Sequence, residues 1–313
     1  MIDYVIYGKI IIDSIKLLDS RVVENQLGGG GPQGAFGARL WSDSVGLVSR
    51  LGKEFPETAR NSLDHLNINT EGIQIYPELD TLYGSMIYDE DDYLDTENRN
   101  TSHGLNRLHI TLAKLLEKNI LLPDSYIRPK VFHLISEYVH EDMMLQAVQM
   151  KNQGVILSFE PLIDYKLWTN KMAIIDFLPQ ADIVSPDWPS ASGFAMADDP
   201  KEVLKWWSRS GPACVSVRNG RHGSYVWDRE HDKFYHIPIY EVPRIDPTGC
   251  GNSYAGAFCV GWNKYREARI AGAMGTVAAT FMVQRPGIAE ILPNMEQEAG
   301  DILEMVMSNI REM

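Results

Sequence analysis

Residues 244–258, RIDPTGCGNSYAGAF, combine a glycine-rich turn with the start of a helical pattern. Gly249 and Gly251 allow the backbone to turn tightly, and Asn252 and Ser253 are residue types that favour the N-cap of a helix. A helix start presents unpaired backbone N–H groups and the positive end of the helix dipole, and both attract anions. The stretch therefore predicts an anion-binding loop, although a tight strand-to-helix turn with packing glycines produces the same pattern.

The length and composition of the chain limit the kinds of protein that can surround this loop. With 313 residues and 44% hydrophobic content, the chain can bury a full core, and it could be one large domain or a domain with a smaller appendage. The formal net charge of -13 argues against nucleic-acid binding, because contact with a phosphate backbone requires a basic face. A small-molecule partner fits this charge better.

The three cysteines, Cys214, Cys250 and Cys259, lack metal-ligand spacing and form an odd number. We therefore expect reduced thiols, no zinc site and a cytoplasmic protein. No run of the sequence reaches the ~18 uncharged apolar residues that a membrane span needs, so we expect no membrane partner. The apolar N-terminal stretch contains charged residues and is interpreted as a first strand, not as a signal peptide.

Short β-branched segments alternate with longer amphipathic segments along the chain. The strand-like segments are YVIYGKIII, VGLVSRL, VFHLISEY, GVILSFEP, ADIVSP and ACVSV. This alternation predicts an α/β fold with a mostly parallel central sheet and helices on both of its faces. We expect the last helix to run from about Asn294 to Glu312.

Residues 74–100 break this alternation, with strand-like residues and acidic turns but little helical periodicity. The segment is consistent with a small β insertion that covers one edge of the sheet as a lid. An ordinary hairpin with a solvated acidic turn at Asp89 to Asp92 has the same composition, so both interpretations stay open.

Three other segments support a ligand site at the loop. Residues 27–41, LGGGGPQGAFGARLW, place four successive glycines ahead of a helical pattern, which permits close approach of a ligand to the backbone. Upstream of the loop, CVSVRNGRHGSYVWD is typical of strand, turn and strand, with Gly220 and Gly223 in the turn. Downstream, GTVAATFMVQRPGIAEILP is typical of a small-residue helix that ends at RPG.

Taken together, these segments resemble the ribokinase-like, or PfkB, family of carbohydrate and nucleoside kinases over nearly the whole chain. YGKIIID resembles the first strand of the family with its sugar-contacting aspartate, here Asp13. GGGG with GARL resembles the first family signature, SVRNGRHGSYV resembles the segment beside ATP, and DPTGCGN resembles the second signature, D-T-x-G-A-G-D. Within the family, GGGG with GARLW, FEP and DPTGCGN are most similar to a mainly fungal branch related to the yeast maintenance-of-killer kinase-like protein.

The resemblance implies a single domain over residues 1–313, which is a three-layer αβα sandwich. It also implies a small β lid from residues 14–26 and 74–100, through which two subunits can pair. It also implies ATP held with Mg²⁺ and transfer of the γ-phosphoryl group to a hydroxyl of a small molecule. Carried over to this chain, the site residues are Gly249, Cys250, Gly251 and Asn252 in the anion hole; Arg218, Gly220, Gly223, Asp246 and Thr248 on the nucleotide side; Asp13, the run from Gly28 to Gly31 with Gly29 and Gly30, and Gln33 on the acceptor side; and Asp187 for the metal.

The chain departs from the family pattern at both ends of this site. Asn252 stands where the family has its catalytic aspartate, and Pro32 and Gln33 lie near the place of an asparagine in the first signature. Arg218 replaces a usual threonine, and Glu160 replaces a usual aspartate. The metal-linked N-x-x-E motif has become PDWPS, which has no glutamate at the expected spacing.

These departures leave three functions open. An amide accepts no proton at neutral pH, so the first is a kinase without the usual base, which acts on a hydroxyl or on an acceptor that is already anionic, such as a carboxylate. The second is an enzyme with different chemistry, in which Cys250 at the helix N-terminus is either a nucleophile or simply a small apolar residue. The third is a pseudokinase that binds a nucleotide without transferring phosphate.

Overall fold

The structure is a computed structural model that describes residues 1–89, 93, 104–137, 139, 141–163 and 169–313. Residues 90–92 of the predicted acidic turn and residues 94–100 of the predicted lid segment lie outside the described residues. Within the described part of the chain, no helix has the length and apolar character that a membrane crossing requires.

Strands and helices alternate along most of the chain, as the sequence pattern predicts. The strands are β1 (Tyr4–Tyr7), β2 (Ile11–Lys16), β3 (Val22–Gly28), β4 (Val45–Leu51), β5 (Asn69–Ile75), β6 (Tyr83–Met86), β7 (Val131–Ser136), β8 (Ile156–Pro161), β9 (Ile183–Val184), β10 (Cys214–Arg218), β11 (Ser224–Asp228), β12 (Lys233–Ile237) and β13 (Arg311–Glu312). The helices are α1 (Gly30–Arg39), α2 (Glu57–His65), α3 (Gly104–Leu116), α4 (Asp142–Lys151), α5 (Lys171–Phe177), α6 (Trp188–Ala195), α7 (Pro200–Ser208), α8 (Cys250–Tyr265), α9 (Ala268–Val283) and α10 (Met295–Ser308).

Within the described residues, ten strands form one large sheet in the order β13-β12-β11-β10-β9-β8-β7-β1-β4-β5. Neighbouring strands from β10 to β5 run parallel, and β11, β12 and β13 extend the sheet antiparallel at one edge. Every residue of β4 and of β7 is buried, as expected for strands that are covered on both faces. The predicted mostly parallel α/β sheet is therefore confirmed.

Helices pack on both faces of the large sheet and enclose two separate hydrophobic cores. One core contains the buried side chains of α1, α2, α8, α9 and α10, and the other contains those of α4, α5, α6 and α7. Side chains of β1 alternate between the two cores, because successive residues of a strand point to opposite faces. The layers are helix, sheet and helix, as the resemblance implies.

A second, smaller sheet lies apart from the large one. It contains β3, β2 and β6, with β2 antiparallel to β3 and parallel to β6. These strands overlap both segments predicted for the lid, but residues 74 and 75 belong to β5 at the edge of the large sheet. The pairing of two subunits through the small sheet stays a prediction.

Two expected element boundaries are wrong. The single N-terminal strand is two strands, because the chain leaves the large sheet at Gly8, where a Cβ atom would stand 2.6 Å from the amide nitrogen of Gly31. The last helix ends at Ser308 instead of Glu312, since the following residues pair with β12. The amide of Met313 donates to the carbonyl of Phe234 at 2.9 Å, so the sheet edge supplies the backbone partners that a longer helix would have supplied.

Candidate active site

The carboxyl ends of the parallel strands and the starts of α1 and α8 border a cleft of about 1280 Å³. Ligand sites of α/β sheets occur at this edge of the strands. Most of the site residues predicted from the sequence line this cleft: Gly29, Gly30, Gln33, Asp187, Arg218, Gly220, Gly223, Thr248, Gly249, Cys250, Gly251 and Asn252. Asp13 and Asp246 do not line it.

The predicted anion loop, residues 249–252, forms the N-cap and the first turn of α8. The N-cap predicted at Asn252 and Ser253 is wrong, because both residues lie in the first turn of the helix. The N-cap is Gly249, whose φ of 80° is a left-handed conformation that favours glycine. The amide of Cys250 donates to the carbonyl of Pro247 at 3.2 Å, whereas the amides of Gly249, Gly251 and Asn252 have no acceptor among the described residues. Three backbone N–H groups at a helix start therefore remain available to an anion.

The glycine run at the start of α1 also brings two backbone segments close together. Gly29 is the N-cap of α1 with φ of 86°, and a side chain there would collide with the carbonyl of Lys9. The same carbonyl accepts a hydrogen bond from the amide of Gly31 at 3.1 Å. The side chain of Lys9 forms an ion pair with Glu137, and both of these residues line the cleft.

The side chains of Gln33 and Asn252 connect the two helix starts. Nδ2 of Asn252 donates to Oε1 of Gln33 at 2.6 Å, and Gln33 is buried. The hydroxyl of Ser253 also donates to the carbonyls of Gln33 and Gly249, at 3.1 and 2.9 Å. Asn252, which is predicted to stand in the position of the family's base, is thus an amide held by another amide.

Small residues allow α1 and α8 to approach closely beneath this pair. A Cβ atom on Gly37 would collide with the carbonyl of Ser253, and one on Gly256 would collide with the carbonyl of Gly34. The backbones of the two helices are therefore in direct contact. This contact fixes the position of one glycine-rich helix start relative to the other.

The two predicted aspartates outside the cleft lining are both buried. Asp246 accepts hydrogen bonds from the amides of Thr248 at 2.9 Å and Gly287 at 3.1 Å, so it shapes the loop from behind. Burial raises the pKa of Asp246 above its ordinary value, and the bonds from Thr248 and Gly287 only partly oppose this effect. Asp13 lies in the small sheet between Gly28 and Gly84, where a Cβ atom on either glycine would collide with its carboxylate.

Arg218 lies at the end of β10, and its guanidinium group faces the anion loop. Nη1 of Arg218 contacts Oε1 of Glu160 at 2.6 Å, and Glu160 is fully buried. Nε2 of His133 lies 3.5 Å from the other carboxylate oxygen of Glu160, and Nδ1 of His133 bonds to the hydroxyl of Ser158 at 2.9 Å. A largely buried ion pair of Arg218 and Glu160, with His133 behind it, therefore ends at the loop.

The turn after β10 contains the two predicted glycines, and both have positive φ. Gly220 has φ of 49° and Gly223 has φ of 85°, and a side chain on Gly223 would collide with the carbonyl of Ile237. The amide of Asn219 donates to the carbonyl of Gly223 at 2.8 Å, which closes the turn. The hydroxyl of Tyr93 donates to the side chain of Asn219, so the segment after the small sheet reaches this turn.

Asp187, the residue predicted for the metal, caps a helix. Its Oδ1 accepts a hydrogen bond from the amide of Ser190 at 3.1 Å, at the start of α6. Among the described residues, no group of three or more His, Cys, Asp or Glu side chains could hold a metal ion. The role of Asp187 as a metal ligand therefore stays a prediction.

Comparisons with known proteins agree with this fold. The profile of the pfkB family carbohydrate kinases matches residues 1–295. The chain belongs to the pfkB family. It is 27% identical to a cytidine kinase of Thermococcus kodakarensis over 287 residues, which are 92% of this chain and 98% of that protein.

Solved structures share the pfkB fold with this chain. An adenosine kinase from Sinorhizobium meliloti has a TM-score of 0.76 at 15% identity, over 96% of this chain and 99% of that chain. A structure described as ribokinase II from E. coli, in complex with ATP and Mg²⁺, has a TM-score of 0.66 at 18% identity, over 97% of this chain and 100% of that chain. The implied ribokinase-like fold is confirmed, whereas placement in the fungal branch stays a prediction.

Sequence reasoning missed how the residues predicted to depart from the pfkB pattern are arranged in space. Asn252 contacts Gln33, and Arg218 contacts Glu160, so four unusual residues form two pairs. His133 gave no signal, because a lone histidine in the strand-like segment VFHLISEY has no motif around it. The changed residues at 160 and 218 were a signal, since a longer acidic and a new basic side chain at one site suggest an ion pair.

Proposed function

We propose that this protein is an ATP-dependent phosphotransferase that acts on a small-molecule acceptor and uses no carboxylate at the position of the family's base. The observation that carries the proposal is the anion loop, where three backbone N–H groups without acceptors among the described residues face the cleft. Phosphoryl transfer depends mainly on positioning and on charge stabilisation, and such a loop supplies both. Membership of a kinase family supports the same conclusion.

The residues present fit ATP at one side of the cleft. The amides of Gly249, Gly251 and Asn252 are suited to the γ-phosphoryl group, and the turn with Gly220 and Gly223 is suited to the rest of the nucleotide. ATP supplies the phosphoryl group that is transferred. The cleft volume of about 1280 Å³ leaves room for an acceptor beside the nucleotide.

The acceptor side combines the start of α1 with the amide pair. Because Nδ2 of Asn252 donates to Gln33, the amide oxygen of Asn252 is left to accept a hydrogen bond from an acceptor hydroxyl. It orients this hydroxyl without taking its proton, which passes to water during the transfer. An acceptor that is already anionic, such as a carboxylate, has no proton to lose at this step.

The acceptor class is tested by measuring ADP release from Mg-ATP with cytidine, other nucleosides, sugars and carboxylic acids. Cytidine comes first, because the relative from Thermococcus kodakarensis is a cytidine kinase. We expect slow turnover above the background rate with at least one acceptor. Saturable ATP binding without turnover would instead make the protein a pseudokinase, and the absence of nucleotide binding would favour a different chemistry.

Replacement of Asn252 by aspartate tests the role of the missing base. The amide of Gln33 can rotate so that its Nε2 donates to the new carboxylate, and the Asn252→Asp variant therefore keeps the contact between the helix starts. General-base assistance is typically worth ~10²- to 10⁴-fold, so we expect kcat with a hydroxyl acceptor to rise towards this range. Asn252→Ala serves as the control, because it breaks the same contact without adding a base.

The Asn252→Asp result also separates the two kinds of acceptor. A rise in kcat with nucleosides or sugars indicates a hydroxyl kinase that works below the rate its fold allows. No rise, or a loss of activity with a carboxylate acceptor, indicates that the neutral amide suits an anionic acceptor, because a second negative charge at this position repels it.

A further inference from the structure

The guanidinium group of Arg218 lies directly against the anion loop. The point that a Cβ atom would occupy on Gly251 is 2.5 Å from Nη1 of Arg218, so a side chain there would displace the guanidinium group from its present position. The side chain of Arg218 is 11% exposed, and it lines the cleft. A full positive charge therefore stands beside the backbone N–H groups that face the cleft.

The position of this guanidinium group is fixed by three acceptors. Nη1 donates to Oε1 of Glu160 at 2.6 Å, Nη2 donates to the carbonyl of Ser185 at 2.9 Å, and Nε donates to the carbonyl of Pro186 at 3.4 Å. A guanidinium group has five N–H bonds in a rigid plane. Within the described residues, two of its N–H bonds remain for another acceptor.

The carboxylate of Glu160 holds the guanidinium group of Arg218 in position and keeps its negative charge at neutral pH. Burial by itself raises its pKa, but the charge of Arg218 and the contact with His133 outweigh this effect, so the pKa of Glu160 lies below its ordinary value. The carboxylate therefore stays ionised at neutral pH. The bond between Nδ1 of His133 and the hydroxyl of Ser158 holds the imidazole in place behind it.

We propose that Arg218 is a catalytic residue that donates hydrogen bonds to the transferring phosphoryl group, and that Glu160 is its positioning residue. This inference rests on the proposed function. In the transfer, the bond from the γ-phosphorus to the bridging oxygen of ADP breaks, and a bond from phosphorus to the acceptor oxygen forms. The acceptor proton leaves to water, Arg218 keeps all its protons, and its charge stabilises the phosphoryl oxygens throughout.

A binding experiment tests the contact with the γ-phosphoryl group without requiring turnover. Dissociation constants of ATP and ADP are measured by calorimetry for the wild type, Arg218→Ala, Arg218→Lys and the exposed control Arg269→Ala. Loss of charged hydrogen bonds should weaken ATP binding to Arg218→Ala by ~10- to 100-fold and leave ADP binding much less affected. The ATP affinity of Arg218→Lys should lie between those of the wild type and Arg218→Ala, since lysine keeps the positive charge but lacks the planar set of N–H donors of a guanidinium group.

Turnover measurements test the catalytic role and the anchor. Arg218→Ala should lower kcat by ~10²- to 10³-fold, and added guanidinium ions below denaturing concentrations should restore part of the loss. Glu160→Gln should lower kcat without weakening ATP binding, because it frees the guanidinium group while removing a negative charge. If Glu160 acts through Arg218, the double variant Arg218→Ala with Glu160→Gln is no slower than Arg218→Ala alone.

The double variant Arg218→Met with Glu160→Gln serves as the control for folding. It removes the buried carboxylate together with its partner, so it should keep the thermal transition of a folded protein. A wild type that binds neither nucleotide overturns the proposed function and this inference with it. A wild type that binds both nucleotides, with folded Arg218 variants that keep its preference for ATP and its kcat, overturns the inference alone. An unchanged kcat in Glu160→Gln overturns the positioning role of Glu160.

Discussion

Gly249 is the residue on which the shape of the anion loop depends. Its φ of 80° is strained for any residue with a side chain, and a Cβ atom would stand 2.5 Å from Cδ of Gln33. A left-handed conformation costs a non-glycine residue ~1–2 kcal/mol. We expect Gly249→Ala to lower the free energy of unfolding in urea by more than this amount and to weaken ATP binding, because the displaced Gln33 also pulls on Asn252.

Gly154 provides the matched control for this prediction. It has φ of 94°, and nothing lies within 4 Å of the place of its Cβ atom. Gly154→Ala should therefore cost the backbone strain alone and leave ATP binding unchanged. Equal ATP affinities of Gly249→Ala and the wild type would contradict the role of the loop.

The individual site residues could be predicted from the sequence, but their partners could not. A glycine turn before a helix has a local signature, but the helix begins earlier than expected, with Gly249 at the N-cap instead of Asn252 or Ser253. The contact between Gln33 and Asn252 joins residues that are 219 positions apart, and only the folded sheet and helices bring them together. The sequence around either residue does not show that they are in contact.

The helix pair α1 and α8 is the element that brings the two halves of the site together. In this pair Gly256 contacts the carbonyl of Gly34, with no space for a methyl group. Overpacking typically costs ~1–3 kcal/mol, so we expect Gly256→Ala to lower the free energy of unfolding by about this amount. Turnover should fall as well, because the start of α8 moves away from α1.

Gly300 in α10 serves as the control for this helix contact, since nothing lies within 4 Å of the place of its Cβ atom. Gly300→Ala should stabilise the protein by ~0.5–1 kcal/mol, the usual gain from replacing glycine in a helix, and leave turnover unchanged. If Gly256→Ala is as active as Gly300→Ala, the close contact of the helices does not position the site.

Strands and helices with a strong sequence pattern were predictable, whereas the point at which the chain passes from the large sheet to the small one was not. The segment GVILSFEP contains β8, and ACVSV contains all of β10 except its last residue, as their β-branched residues predict. The continuous apolar pattern of YVIYGKIII hid the step from the large sheet to the small one at Gly8. The reason is that Gly8 packs directly against the backbone of Gly31, and the sequence around Gly8 does not show this contact.

At the scale of the whole molecule, the network of Glu160, Arg218 and His133 connects β7, β8 and β10 at the centre of the large sheet. The same contacts that place Arg218 beside the loop therefore also contribute to folding. Because the pKa of Glu160 is lowered in the folded state, its contribution to stability is fully present above the unfolded pKa of ~4.3. This contribution is lost as the pH falls through the lower pKa of the folded state.

We expect this loss to appear in the pH dependence of the free energy of unfolding, measured by urea denaturation between pH 7 and the onset of acid unfolding. Glu160→Gln has no proton to bind, so its stability should fall less steeply than that of the wild type below ~pH 4.3. Glu304→Gln, an exposed substitution in α10, should keep the slope of the wild type. Asp246 contributes in the opposite direction, because its raised pKa makes the folded state bind a proton more readily, and it does so equally in all three proteins. Parallel curves for Glu160→Gln and the wild type would show that the carboxylate is not held ionised by Arg218, and would remove the anchor on which the position of the guanidinium group depends.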